Sequence, residues 1–216
     1  MRTAIRWNTA TSILVIVLAV GWGSRARATD FTLTPAEAQH VARRGVVIRA
    51  VLDAGSQRKG TVRAAIQIDA APAVVFGMMT RCADALRYVP HLKDCRVRDQ
   101  APDDSWQLIE HEIDFGWYTP RLRWIFRVDF TGQTAMHFRQ VSGDFKANEG
   151  VWELEPVADG ASTLLRYRAY IDPPGYVPNW LARATFKREL PQMLQDLRRL
   201  CEAKARANGP APASSF

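Results

Sequence analysis

GTVRAAIQIDAAPAVVFGMMT, residues 60–80, changes its period half-way along. In its first half Val62, Ala64, Ile66 and Ile68 alternate with Arg63, Ala65, Gln67 and Asp69, the period of two that sends one side of a strand into a core. After Asp69 the alternation stops. Pro72 then stands at the first turn of an apolar helix of about two turns, with Asp69 as its expected cap. ADALRYV adds a second short helix, which Pro90 ends. The unit to be explained is a strand that runs directly into two short helices.

Upstream, Thr34, Pro35 and Glu37 form a capping box that opens a short helix through Arg44, with Gly45 as its stop. VVIRAVLD, residues 46–53, is a β-branched segment joined to residues 60–69 by AGSQRK, and the two read as paired strands. Downstream, strands are expected over residues 94–98, 105–115, 122–131, 135–141, 150–157 and 162–171. The turn signals PDD, GWYTP, TGQT and ADGAS separate them, and antiparallel hairpins are the economical connection. The last element, residues 178–205, carries Leu190, Met193, Leu194, Leu197, Leu200 and Cys201 on one helical face and Arg198, Arg199, Glu202 and Lys204 on the other. Pro191 removes one helical hydrogen bond and predicts a bend.

LRWIFRVDF gives the sheet an inside. Leu122, Trp124, Phe126, Val128 and Phe130 share one face, and Arg121, Arg123, Arg127 and Asp129 share the other. In the neighbouring strand Glu110, Glu112 and Asp114 share a face, so a convex surface stitched by Glu/Arg pairs to Arg123 and Arg127 is expected. The aromatic stripe then faces the long helix.

The chain begins with Arg2 and Arg6, an apolar run over 13–20, and Ala26-Arg27-Ala28, the order of a secretory signal peptide cleaved after Ala28. The apolar run is about ten residues, too short for the roughly 20 of a membrane-spanning helix. Cleavage removes four arginines and no acid, leaving 25 basic against 22 acidic residues, so the formal charge falls from +7 to +3. The basic balance is therefore mostly a targeting feature. No zinc-finger spacing, basic run or glycine-rich phosphate loop supports a nucleic-acid partner. About 188 of the 216 residues remain, enough for one domain with a sizeable core. Residues 1–28 are read as signal peptide, 29–45 as a helical lead, 46–206 as the domain, and 207–216, rich in Pro, Ala and Ser, as a disordered tail.

The order of core strand, two short helices, six antiparallel strands and a long C-terminal helix resembles the START-like, helix-grip (SRPBCC) superfamily. That superfamily includes polyketide cyclases, coenzyme Q-binding START proteins and the birch-pollen allergens. The resemblance is carried by residues 60–80 with LRYVPHLKDCRV after them, then by GDFKANEGVWELEP, STLLRYRAYIDPP and VPNWLARATFKRELPQMLQDLRRL. It covers roughly 46–205 and is similar to the exported polyketide cyclase/dehydrase-type branch. It implies an α+β fold, in which a curved antiparallel sheet of about seven strands wraps a long C-terminal helix over an elongated apolar cavity. It implies fold more than activity.

The expected cavity lining is Trp124, Phe126, Phe130, Phe138, Trp152, Tyr167, Tyr170, Trp180 and Phe186, with Leu86, Tyr88, Val89, Trp117 and Tyr118 at the rim. His40, His91, His111 and His137 lack zinc-ligand spacing and read as surface or edge residues. Glu110, Glu112 and Asp114 read as a solvated face rather than an acid–base cluster. Arg166 and Arg168 with Tyr167 and Tyr170 are the residue types that an aromatase would use, yet no specific catalytic motif carries over, so no catalytic residue is assigned. The functional expectation is a periplasmic carrier for a lipid, an isoprenoid quinone or a similar molecule, the alternative being a cyclase or dehydrase of a polyketide-like substrate in the same cavity. The accompanying expectations are no cofactor, no metal, no nucleic acid, transient membrane contact and a monomer.

Cys82 and Cys95 bracket a short apolar segment and are open to reading as ligands, catalysts or a clasp. Export favours a disulfide, because oxidising compartments preserve one. In a helix-grip fold such a bridge would staple the rim of the cavity. Cys201, on the apolar helix face, reads as a buried inert thiol.

Overall fold

The structure, a computed structural model, describes residues 31–53, 55, 59–117 and 119–208. The leader and its cleavage point, Tyr118 and the tail after Asn208 lie outside the described residues. The elements run α1 (Pro35–Ala42), β1 (Val46–Leu52), β2 (Gly60–Ile68), α2 (Pro72–Met79), α3 (Cys82–Tyr88), β3 (Leu92–Gln100), β4 (Trp106–Ile113), β5 (Leu122–Thr131), β6 (Ala135–Gly143), β7 (Ala147–Val157), β8 (Ser162–Asp172), α4 (Asn179–Ala184), a π-helical segment (Thr185–Glu189) and α5 (Leu190–Asn208). The helix reaches two residues into the segment expected to be tail.

Eight strands form one antiparallel sheet in the order β1-β2-β8-β7-β6-β5-β4-β3. This is one more than the expected seven, because Val46–Leu52 pairs along its whole length with β2 as an edge strand. Hairpins connect β3 to β8 in sequence, and β2 closes against β8. Register shifts at Leu92/Asp94, Val97/Asp99 and Ile125/Phe126 mark bulges, which bend the strands that carry them.

The sheet grips α5 on its concave face. Ile66, Ile68, Leu165, Leu194, Leu197 and Cys201 are among the most deeply buried side chains of this core. Each fully buried aliphatic side chain contributes about 1.5–3 kcal/mol. A smaller cluster lies on the other face, where Phe31 and Val41 of the lead cover Val47 and Ala65. The helical lead is thus part of the fold, covering the convex side of β1 and β2.

Three local readings are corrected. Asp69 does not cap α2, whose N-cap is Ala71 without a side-chain bond. Its carboxylate instead takes a 2.6 Å bond from Arg44. The α1 stop is made by Arg44 rather than Gly45. Arg44 sits at φ 68°, its N–H bonding Val41 O while the Gly45 N–H bonds His40 O, a Schellman arrangement with arginine at the left-handed position. Gly45 is needed for a different reason, since a Cβ there would lie 2.2 Å from the His40 ring. Glu202, placed by periodicity on the polar face, is buried, where it accepts two bonds from Arg44, at 3.0 and 2.8 Å, and one from the Asp69 N–H. The C-terminal rod breaks just before Pro191. Lacking an N–H, Pro191 gives Lys187 O no α-helical partner, and the preceding turn widens so that the Leu190 N–H bonds Thr185 O.

Candidate functional site

Alternation along four neighbouring strands brings aromatic rings together on the concave face. β5 places Trp124 and Phe126 there, β6 Phe138, β7 Trp152 and β8 Tyr167. The rings touch in sequence. Trp124 lies 6.4 Å from Phe126, Phe126 6.5 Å from Phe138, Phe138 6.1 Å from Tyr167 and Tyr167 4.1 Å from Trp152. Gly150 makes room for this band, because a Cβ there would stand 2.8 Å from Phe138 Cζ and 2.2 Å from Arg168 O. Opposite the band, α2 and α3 contribute Met79, Cys82, Ala85, Tyr88 and Val89, and α5 contributes Met193 and Leu197. Between them lies a cavity of about 220 Å³.

Of the expected lining, Trp124, Phe126, Phe130, Phe138, Trp152 and Tyr167 lie on the cavity wall. Tyr170 does not, for it is on the alternate face of β8 and donates a 2.9 Å bond to Asp53. Trp180 is 56 % exposed on α4, and Phe186 is buried in the main core without forming part of the wall. Of the expected rim, Tyr88 and Val89 lie on the wall, Leu86 points to solvent, and Trp117 is 95 % exposed. Cys82 and Cys95 form a disulfide that joins α3 to β3, and both residues belong to the wall. Cys201 is a free buried thiol whose pKa burial pushes up to about 12.

Charge is kept outside. Glu110, expected on a solvated face, is instead buried under Arg98 at 2.5 Å and Arg123 at 3.5 Å. Glu112 pairs with Arg121 at 2.9 Å and Arg123 at 2.5 Å, which together lower its pKa. The stitched convex face is therefore present with one change, since Arg127 bonds Asp129 and stacks on Trp106 instead of reaching the glutamates. Arg166 is tied to Glu155 at 2.5 Å, and Arg168 shares its outward face. Of the four residues suited to an aromatase, only Tyr167 faces the cavity.

His111 is the residue that the sequence reading missed. Expected at a surface or edge, it is turned inward, with Gln107 and Ile109, by the same alternation that turns Glu110 and Glu112 outward. Its ring stands edge-on to Trp124 at 5.5 Å and Phe126 at 4.9 Å. Enclosure by these apolar surfaces lowers its pKa to about 4, so it is neutral at pH 7. Burial also raises the phenols of Tyr88 and Tyr167 well above the ordinary value. Asn148 and, at the edge, Thr80 and Arg81 complete the polar part of the wall. The other histidines lie elsewhere, as with His91, which pairs with Glu189 at 3.4 Å and packs on Phe115.

A curved sheet closed over a long C-terminal helix, with an aromatic cavity between them, defines a START-like helix-grip protein. Residues 68–198 match the family described as polyketide cyclase / dehydrase and lipid transport, and the chain belongs to that family. Solved structures with the same fold include a STAR-related lipid transfer protein from Xanthomonas axonopodis, 18 % identical, covering 73 % of this chain and 93 % of that one with a TM-score of 0.60. The ZhuI aromatase/cyclase from Streptomyces sp. R1128 is 14 % identical over 71 % of this chain and 99 % of that one, with a TM-score of 0.58. A START superfamily protein from Mycobacterium smegmatis is 16 % identical over 69 % and 99 %, with a TM-score of 0.53. No curated protein sequence matches. At these identities the likeness is one of fold, and the site has to be read from this chain's own residues.

Proposed function

We propose that this protein is an exported carrier that holds one hydrophobic small molecule, of the lipid or isoprenoid quinone kind, between its sheet and its C-terminal helix. The observation that carries the reading is the continuous band of five aromatic rings along the cavity wall. Apolar walls with a few placed polar groups are what small-molecule sites consist of. Among the described residues the wall holds no carboxylate, its histidine is a weak base and its tyrosines are weak acids, an environment better suited to holding a molecule than to moving protons at neutral pH.

Export is supported by the leader pattern over 1–28 and by the Cys82–Cys95 disulfide, a bond that persists in oxidising compartments such as the periplasm. A mature N-terminus at Thr29 in the periplasmic fraction is the expected outcome, and full-length protein in the cytosol would contradict it. Trp117 and Trp180, aromatic and exposed, suit brief contact with a membrane surface during loading by a single copy of the chain. The cyclase or dehydrase reading keeps Tyr167 and gains His111, both set among rings at the cavity wall.

The carrier reading is tested by extracting the purified mature protein with organic solvent and identifying the extract by mass spectrometry. A reproducible hydrophobic compound in near-stoichiometric amount is expected, and conversion of that compound by the protein would favour the enzyme. An extract with no compound above a mock purification overturns the carrier.

A further inference from the structure

We propose that the cavity selects an uncharged, ring-bearing ligand whose hydroxyl or carbonyl group bonds either His111 or Gln107 of β4, and discriminates against anionic lipids. The inference rests on the carrier reading and adds the class of cargo. Its basis is what the wall offers and what it withholds.

The wall offers hydrogen bonds that the protein leaves unused. Gln107 Oε1 is buried and has no hydrogen-bond partner among the described residues. An unsatisfied buried acceptor is costly to leave unpaired, so a hydroxyl that reaches it recovers that loss. His111, neutral, presents one ring nitrogen that donates and one that accepts, and so can serve either a carbonyl or a hydroxyl. The two stand four residues apart on one strand face, roughly 13 Å along β4, with Ile109 between them. Each lies beside apolar surface, His111 against the rings of Trp124 and Phe126 and Gln107 next to Val128 in register.

The wall withholds charge. Among the described residues it contains no Asp or Glu and one Arg or Lys, Arg81, which is half-exposed and bound to Asp84 at 2.5 Å. A carboxylate brought to His111 would lose its water with no fixed counter-ion beside it. Size narrows the class further. About 220 Å³ is below the roughly 300–1,000 Å³ of drug-sized ligand sites. It fits one ring system. The aromatic band supplies stacking surface for such a ring.

Four naphthalenes that differ only at position 2 test this: 2-naphthol, 2-acetylnaphthalene, 2-methylnaphthalene and 2-naphthoate. Binding at pH 7 is followed by quenching of tryptophan fluorescence in the oxidised mature protein, in the His111→Leu and Gln107→Leu variants, and in the double variant. In the unaltered protein the naphthol or the ketone is expected to bind at least tenfold more tightly than naphthoate, and severalfold more tightly than the methyl compound. The double variant is expected to lose the preference over the methyl compound while still binding the latter, which shows that the cavity survives. Naphthoate bound as tightly as the neutral probes, or a preference untouched by the double variant, overturns the proposal but leaves the carrier standing. No binding of any probe overturns the proposal as well, while the carrier reading is decided by the solvent extract.

Discussion

The imidazole of His111 stands edge-on to Trp124 and Phe126, and this enclosure disfavours its charged form. The unfolded chain, with an ordinary histidine pKa near 6.5, therefore takes up a proton before the folded chain does. Stability is full above pH 6.5, falls as pH drops toward 4, and levels off below that. Part of the ring faces the cavity, so the loss is about 1–3 kcal/mol rather than the full value for a dry site. Urea midpoints at pH 7 and pH 4.5, compared between the protein and His111→Leu, isolate this contribution, because the carboxylates titrate alike in both. A smaller acid-induced loss in the variant is expected. Arg44 presents a second local conflict, a left-handed backbone accepted so that its guanidinium reaches buried Glu202. Arg44→Met is expected to cost about 1–2 kcal/mol, less than for a fully buried pair because half of Arg44 is exposed. Arg44→Gly is expected to cost less than Arg44→Met, since it relieves about 1 kcal/mol of left-handed strain.

At the scale of elements, period and turn chemistry were enough where the chain obeys them. β5 spans 122–131 as expected, and its alternation located the aromatic wall. β3 runs from 92 to 100 rather than 94 to 98 because two bulges interrupt its alternation. β7 starts at Ala147 rather than Gly150 because pairing with the end of β8 holds a stretch that has no apolar pattern of its own. Tyr170 and His111 show the limit of residue-type reasoning: chemical kind suggests the cavity for one and the surface for the other, while strand parity puts Tyr170 outside and His111 inside. Phe186 lies inside the π-helical segment Thr185–Glu189, where a 3.6-residue period does not hold, and Trp180 sits on the short α4 before it, so neither position follows from the periodicity of the long helix. The disulfide belongs to this scale as well. Closing a loop of 13 residues contributes about 3 kcal/mol in the chain-entropy account. Cys82→Ser with Cys95→Ser is expected to lower the unfolding free energy by about 2–3 kcal/mol. Bound ligand should also dissociate faster as the α3 side of the wall loosens, and stopped-flow displacement would detect this. An unchanged off-rate would mean that α3 does not govern passage.

For the whole molecule, one sheet and one bent helix divide the work. The convex face is satisfied by ion pairs and by the N-terminal lead, whereas the concave face is apolar, ringed and furnished with a few hydrogen-bonding groups. The central claim is that a small molecule sits between that face and α5. Native mass spectrometry of the mature, oxidised protein, alongside an Ala85→Phe variant that fills the cavity from α3, tests it most directly. The account predicts a one-to-one adduct in the unaltered protein that the variant loses while keeping its fold by circular dichroism. A bare protein mass in both, or an adduct that persists in Ala85→Phe, would contradict it.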